Sequence, residues 1–195
     1  GDVLPVPQMR YQVASMLSGL YSLGGQPDRV IVEERIRPHP VFRDIAAGGT
    51  PDIRVLCHQF EPTMAMLRLP TQASRGRANL HQGAVGVGVD TVSGRTRGGV
   101  WRARMILLHP DSGAPLADVA VPYWPEIPAI AKRLSRAIGL GYLGIDLVIA
   151  EGTGPVILEA NARPGLSIQI ANQCGLNARG WTVKNSVDGN SGRDL

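Results

Sequence analysis

The chain has 195 residues, a formal net charge of +4, 44% hydrophobic content and two cysteines, enough apolar material for one packed domain with an appendage. No apolar run reaches the roughly 18 residues of a spanning helix and no basic-then-apolar leader opens the chain, so a cytoplasmic protein with no membrane partner is expected. Cys57 and Cys174 stand in different segments, which excludes a disulfide framework and a zinc spacing; scattered arginines, with lysine only at Lys132 and Lys184, favour an anionic small ligand over nucleic acid.

Apolar residues Val13, Met16, Leu17 and Leu20 recur at helical spacing, predicting a helix over 11–23 that stops at Gly24-Gly25. Short β-like runs follow at 29–36, 52–60, 63–70 and 84–90, divided by Pro and Gly. The last contains GAVGVG, which lacks the spacing of a dinucleotide fingerprint and reads as an exposed or bulged strand. Residues 91–123 read as loop with at most a short strand pair. From 125 to 140, Ile127, Ile130, Ala131, Leu134 and Ile138 predict a second helix, with Pro125 and Pro128 confined to its first turn. The fold class expected is α+β, an antiparallel sheet with flanking helices, over residues 1–176; the polar stretch 177–195 is expected to be a flexible tail.

The most informative segment is YLGIDLVIA, then EGTG, then PVILEANARPG. Two apolar runs flanking a glycine turn predict an antiparallel hairpin. With Gly152 and Thr153 at the centre of a type II′ turn, Glu151 pairs with Gly154 and Asp146 falls directly across from Glu159. Opposed carboxylates repel unless a positive charge lies between them. Asn161, two residues beyond Glu159, shares its strand face and adds a third oxygen. Oxygen-only donors suit magnesium or manganese. The alternatives are a solvated strand face, or Asp146 paired with an arginine such as Arg54, Arg68 or Arg163; a one-residue slip would turn Asp146 to the other face.

The trio Asp146, Glu159 and Asn161, followed by Arg-Pro-Gly, resembles the pattern that closes the ATP-grasp fold. VIVEERI, DIRVL and MLRLPT with ANLHQG resemble, in order, segments of the α-L-glutamate ligase-like (RimK-related) branch. That branch joins an amine to a carboxylate through an acyl phosphate made from ATP. The resemblance implies ATP as a cofactor, with Glu33, Glu34, Arg35 and Ile36 at adenine. It implies Arg54, Arg68, Asn79 and Arg163 at phosphate or acyl phosphate, and magnesium on Asp146, Glu159 and Asn161. Read without it, Glu33 and Glu34 are equally well solvent-facing strand ends, Arg54 could pair with Asp52, and Asn79 and His81 could serve only to hold their loop.

The same resemblance implies that the fold is incomplete, because the lysines and glycine-rich flap of the N-terminal subdomains have no counterpart before Lys132. Two further readings follow: a metal-dependent hydrolase of phosphoesters, with water as acceptor, and a non-catalytic metal- or nucleotide-binding module. Uncovered apolar sheet is expected to favour self-association.

Overall fold

A computed structural model describes residues 4–46 and 48–176, so the tail expected at 177–195 lies outside the described residues. The chain divides into two units, residues 1–37 and 38–195.

In the first unit, α1 (Val6–Leu17) begins on Pro5 with a second proline in its opening turn, where the missing N–H is no loss. It ends earlier than expected, because the chain reverses at Gly19, whose φ of 81° suits glycine and whose added Cβ would sit 2.2 Å from the Gln26 carbonyl oxygen. Gly24 and Gly25 lie instead in a short 3-10 turn, Leu23–Gly25. The run expected as a strand at 29–36 is not one: it forms no ladder, and Ile31 and Val32 are exposed. β-branched composition makes a strand only where another strand pairs with it.

The second unit is built on one antiparallel sheet of seven strands in the order β5-β4-β3-β2-β1-β6-β7. The strands are β1 (Asp52–His58), β2 (Glu61–Leu69), β3 (Val85–Val89), β4 (Thr96–Trp101), β5 (Arg104–Ile106), β6 (Tyr142–Ala150) and β7 (Gly154–Asn161). The first five form a meander running outward from β1. Helix α2 (Glu126–Ile138), ending at the left-handed Gly139, then returns the chain to β6 on the other side of β1. Where β1 has ended, Pro38 bridges to Ala150 and the His39 N–H donates to the Ile149 carbonyl at 2.8 Å, prolonging the sheet.

Strand alternation sorts the side chains between two faces. Odd-numbered positions on β1, β2 and β6 (Ile53, Val55, Leu67, Ile145, Leu147) join Phe42, Trp124 and α2's Ile127 and Ala131 in the larger core. Even-numbered positions point the other way. There Leu56, Met64 and Met66 pack against Ile168 and Ala171 of a six-residue helix, α3 (Ser167–Asn172), that the sequence reading does not contain. Asn172 pins α3 down by donating through Nδ2 to the Ala65 carbonyl at 2.9 Å. Helix α2 therefore covers the face opposite the expected site, and α3 covers part of the site's own face.

The glycines of β3 have a packing reason. All five β3 residues are buried, contrary to an exposed strand, and the β3–β4 register shifts between Val87 and Val89 as a bulged strand would. A Cβ on Gly88 would lie 2.6 Å from the Ala171 carbonyl oxygen and 3.1 Å from the Asn172 Cα. Backbone rests on backbone there, and neither side can yield cheaply. Gly88→Ala is expected to cost about 1–3 kcal/mol by lifting α3, a loss that urea denaturation would show as a lower midpoint.

Candidate active site

The hairpin meets its expected register at the site by an unexpected route. Its turn holds three residues, Glu151, Gly152 and Thr153, so Ala150 pairs with Gly154 and the ladder starts one residue out of the expected register. A bulge at Leu158 then absorbs the offset, and Asp146 lies across from Glu159 after all. Gly152 and Gly154 carry the positive φ values, 76° and 87°, that this wider turn needs.

Register also decides what Asp146 meets. Arg54 on β1 lies opposite Asp146, while Asp52, two residues earlier on the same face, lies opposite Arg68 on β2. A continuous row of alternating charge results. Arg54 Nε donates to Asp146 Oδ1 at 2.7 Å and Arg54 Nη2 to Oδ2 at 2.6 Å. Arg68 Nη2 donates to Asp146 Oδ2 at 2.8 Å and to Asp52 Oδ2 at 2.6 Å, and Arg68 Nε donates to Asp52 Oδ1. Arg54 is thus the partner of Asp146, not of Asp52. Asp52, absent from the residues singled out above as site candidates, proves to be the anchor of Arg68; its position two residues before Arg54 on a strand was the available signal.

At the far end, Arg54 Nη2 lies 3.9 Å from Glu159 Oε1, and Asn161 Nδ2 donates to that same oxygen at 2.9 Å. Glu159 stands directly across the hairpin from Asp146. Burial changes sharply along the row: the Asp146 side chain is 2% exposed and that of Glu159 59%. Three carboxylates face two guanidinium groups, so one negative charge is in excess. It falls at the solvent end, where Glu159 and Asn161 present oxygen.

Those residues fit a hard divalent cation. The donor set is all oxygen and, with three carboxylates to two guanidinium groups, the excess charge is negative. Glu159 and Asn161 are the open ligands. Asp146 would have to share oxygens now held by Arg54 and Arg68. Among the described residues no group of three or more His, Cys, Asp or Glu could hold a metal ion, so the protein ligands of such a site are two carboxylates and the Asn161 amide oxygen, with water at the remaining positions.

Among the described residues, neither Asn79 nor Arg163 forms a hydrogen bond or ion pair with this row. Asn79 is exposed and caps the 3-10 helix Leu80–Gln82, its Oδ1 accepting from the His81 N–H at 2.9 Å, the loop-holding role of the two it was given. Arg163 is exposed in the turn after β7. Its neighbour Pro164 packs on bare backbone at Gly144, where an added Cβ would lie 2.5 Å from the Pro164 Cβ. The Arg-Pro-Gly break thus turns the chain back over the sheet toward α3. Glu33, Glu34, Arg35 and Ile36 belong to the first unit, in a segment without regular structure.

Titration differs along the row. At Asp146 burial opposes ionisation, but the Arg54 hydrogen bonds and the charges of Arg68 and Arg54 outweigh it and hold the carboxyl below its usual range. At Asp52 burial wins over the Arg68 hydrogen bonds and charge and pushes the carboxyl up to about 6. A raised carboxyl contributes stability at low pH that is lost as pH rises through its folded value; a depressed one contributes above the ordinary range and loses it on acidification. The stability advantage of the native chain over Asp52→Asn is therefore expected to shrink between about pH 4 and pH 6. Urea midpoints of both proteins across that window would check it.

Residues 3–185 match the family described as sugar-transfer associated ATP-grasp, a match that continues past Leu176, where the sequence reading places a boundary. A protein named "Probable alpha-L-glutamate ligase" from Xanthomonas campestris pv. campestris (strain B100) is 32% identical over 77 residues, 40% of this chain and 24% of that protein. One of the same name from Xanthomonas oryzae pv. oryzae (strain MAFF 311018) is 38% identical over 55 residues, 28% of this chain and 18% of the relative. The match spans about a quarter, or less, of the length of these curated relatives. Among the described residues no helix is long and apolar enough to cross a membrane. With nearly its whole length matched by the family model and its sheet closing on the Asp146, Glu159 and Asn161 row, the chain belongs to the sugar-transfer associated ATP-grasp family.

Proposed function

We propose that the chain carries the metal- and phosphate-binding face of an ATP-dependent ligase that joins a carboxylate to an amine through an acyl phosphate. The observation that carries this reading is the excess negative charge at the exposed end of the row, on Glu159 with the Asn161 amide bonded to it, 3.9 Å from the Arg54 guanidinium. Family membership and the names of the curated relatives support it, and those names make L-glutamate the first amine to test. Neither favours the hydrolase alternative.

In this reading Glu159 and Asn161, with Asp146, hold magnesium or manganese, which when bound neutralises phosphate oxygens of ATP. Arg54, at the boundary between buried and exposed, orients Asp146 and offers its charge to the transferring phosphoryl group. Arg163, exposed in the bend after β7, would add a second guanidinium. Arg68 is held on two carboxylates and 11% exposed, so its part is to fix Asp146 rather than to reach substrate. The backbone of 34–36, with Glu33 beside it, receives adenine and ribose. The acid oxygen attacks the γ-phosphorus and ADP leaves; the amine nitrogen then attacks the acyl carbon, loses a proton and expels phosphate. The protein's work is positioning and charge stabilisation, with little covalent chemistry of its own. Calorimetric titration with magnesium-ATP tests it: saturable binding that requires the metal is expected, and metal-independent binding or none would refute it.

A further inference from the structure

On the same sheet face, β4 and β5 are joined by a turn of two residues, Arg102 and Ala103, between the paired Trp101 and Arg104. Both turn residues have positive φ, 48° and 61°. Such a turn is normally made by Asn-Gly or Gly-Gly, and an Arg-Ala pair there is strained. The strain aims a cation: the Arg102 guanidinium carbon lies 4.6 Å from the centre of the Trp101 ring. Trp101 is itself fixed, its Nε1 donating to the Gly83 carbonyl at 2.8 Å. Among the described residues no carboxylate pairs with Arg102.

Beside this turn opens a cleft of about 230 Å³, roughly the space of seven or eight waters. Leu80, Ala84, Val100 and Ile170 give it apolar walls; His81 and Ser167 join Arg102 as its polar groups. Val100 pairs with Gly86, and Gly86 with Arg68, so the cleft lies two strands from the buried end of the charged row and five from Glu159 on β7, on the order of 24 Å across the sheet from that exposed end.

We propose that this cleft is a binding site for a small carboxylate of amino-acid size, its anion on Arg102 and its stem against Leu80 and Ile170. Five strands from Glu159, it is a ligand site separate from the exposed end of the charged row. An unneutralised guanidinium held over an aromatic ring attracts an anion, and the apolar walls select one with a carbon stem over a bare oxyanion.

The test is a titration of the whole chain with L-glutamate, without nucleotide or metal, followed by methyl resonances of Leu80, Ala84, Val100 and Ile170 and by calorimetry. Saturable binding confined to those methyls is expected. Arg102→Gln should weaken it roughly tenfold, as for a lost charge-assisted hydrogen bond, at an unchanged melting temperature. The pair Arg102→Asn with Ala103→Gly, which relieves the turn, should keep or raise the melting temperature and still lose binding. Absence of saturable binding, equal binding by Arg102→Gln, or equal binding of inorganic phosphate would overturn the proposal. Glutamate binding without magnesium-ATP binding would leave the site and remove the ligase reading; the reverse would remove the site alone.

Discussion

Glu159→Ala is expected to weaken magnesium-dependent ATP binding roughly a hundredfold, a loss of about 3 kcal/mol, while leaving the melting temperature nearly unchanged. The two halves of that expectation have separate causes. Glu159 carries the excess charge of the row and is its most accessible carboxylate, so removing it leaves a divalent cation only the amide oxygen of Asn161 and a carboxyl already engaged by two arginines. Yet its side chain is 59% exposed and its link to Arg54 spans 3.9 Å, a surface interaction worth about 0–1 kcal/mol. Calorimetry and thermal melting of the same preparation would read both. A variant that binds magnesium-ATP as the native chain does would remove the site from consideration.

Asp146→Ala is expected to do the opposite first: to destabilise the protein by about 3–5 kcal/mol, the usual cost of leaving a buried charge without its partner. Arg54 would lose both of its short hydrogen bonds, and Arg68 the one it does not share with Asp52. Neither guanidinium can withdraw into water without disturbing β1 and β2. For a chain of this length the melting temperature should fall by about 10 °C. Replacing the pair together, Arg54→Met with Asp146→Leu, should recover much of that stability, since a well-packed apolar pair in a buried site is as favourable as an ion pair. Recovered stability without magnesium-ATP binding would mean that the pair is kept for the site and not for the fold. A double variant no more stable than Asp146→Ala would argue that the row is structural.

The contrast between those two carboxylates shows where reading the sequence stops. Asp146 and Glu159 carry the same formal charge in adjacent runs, and their opposition across a hairpin follows from the glycine turn between them. Which one is buried does not. Burial at Asp146 comes with Arg54 and Arg68, which stand 92 and 78 residues away in sequence on neighbouring strands, and hydrophobic periodicity holds no record of such distant pairing. The hairpin register itself was right at the site although the turn was not, because the bulge at Leu158 restores the offset of a three-residue loop. No local pattern marks a bulge inside an apolar run.

Five of the six predicted β-runs became strands, and helix 125–140 formed nearly as expected, because alternation and helical spacing are local consequences of having one buried face. The run 29–36 failed for the complementary reason: composition favours extension there, but no strand pairs with it. Helix α3 was invisible because six residues cannot show a period, and its place is fixed by Gly86 and Gly88, which admit it to the sheet.

By itself the sequence determined the ATP-grasp relationship, the hairpin and the opposition of Asp146 and Glu159 across it, since these depend on short-range spacing and on residue types that carry their chemistry with them. The tertiary structure alone decided that Asp52 holds Arg68, that Arg54 and Arg68 hold Asp146, and that the excess charge collects at Glu159. Those facts depend on strand order and register, and a buried charge is set by whichever distant group the fold brings within about 3 Å of it.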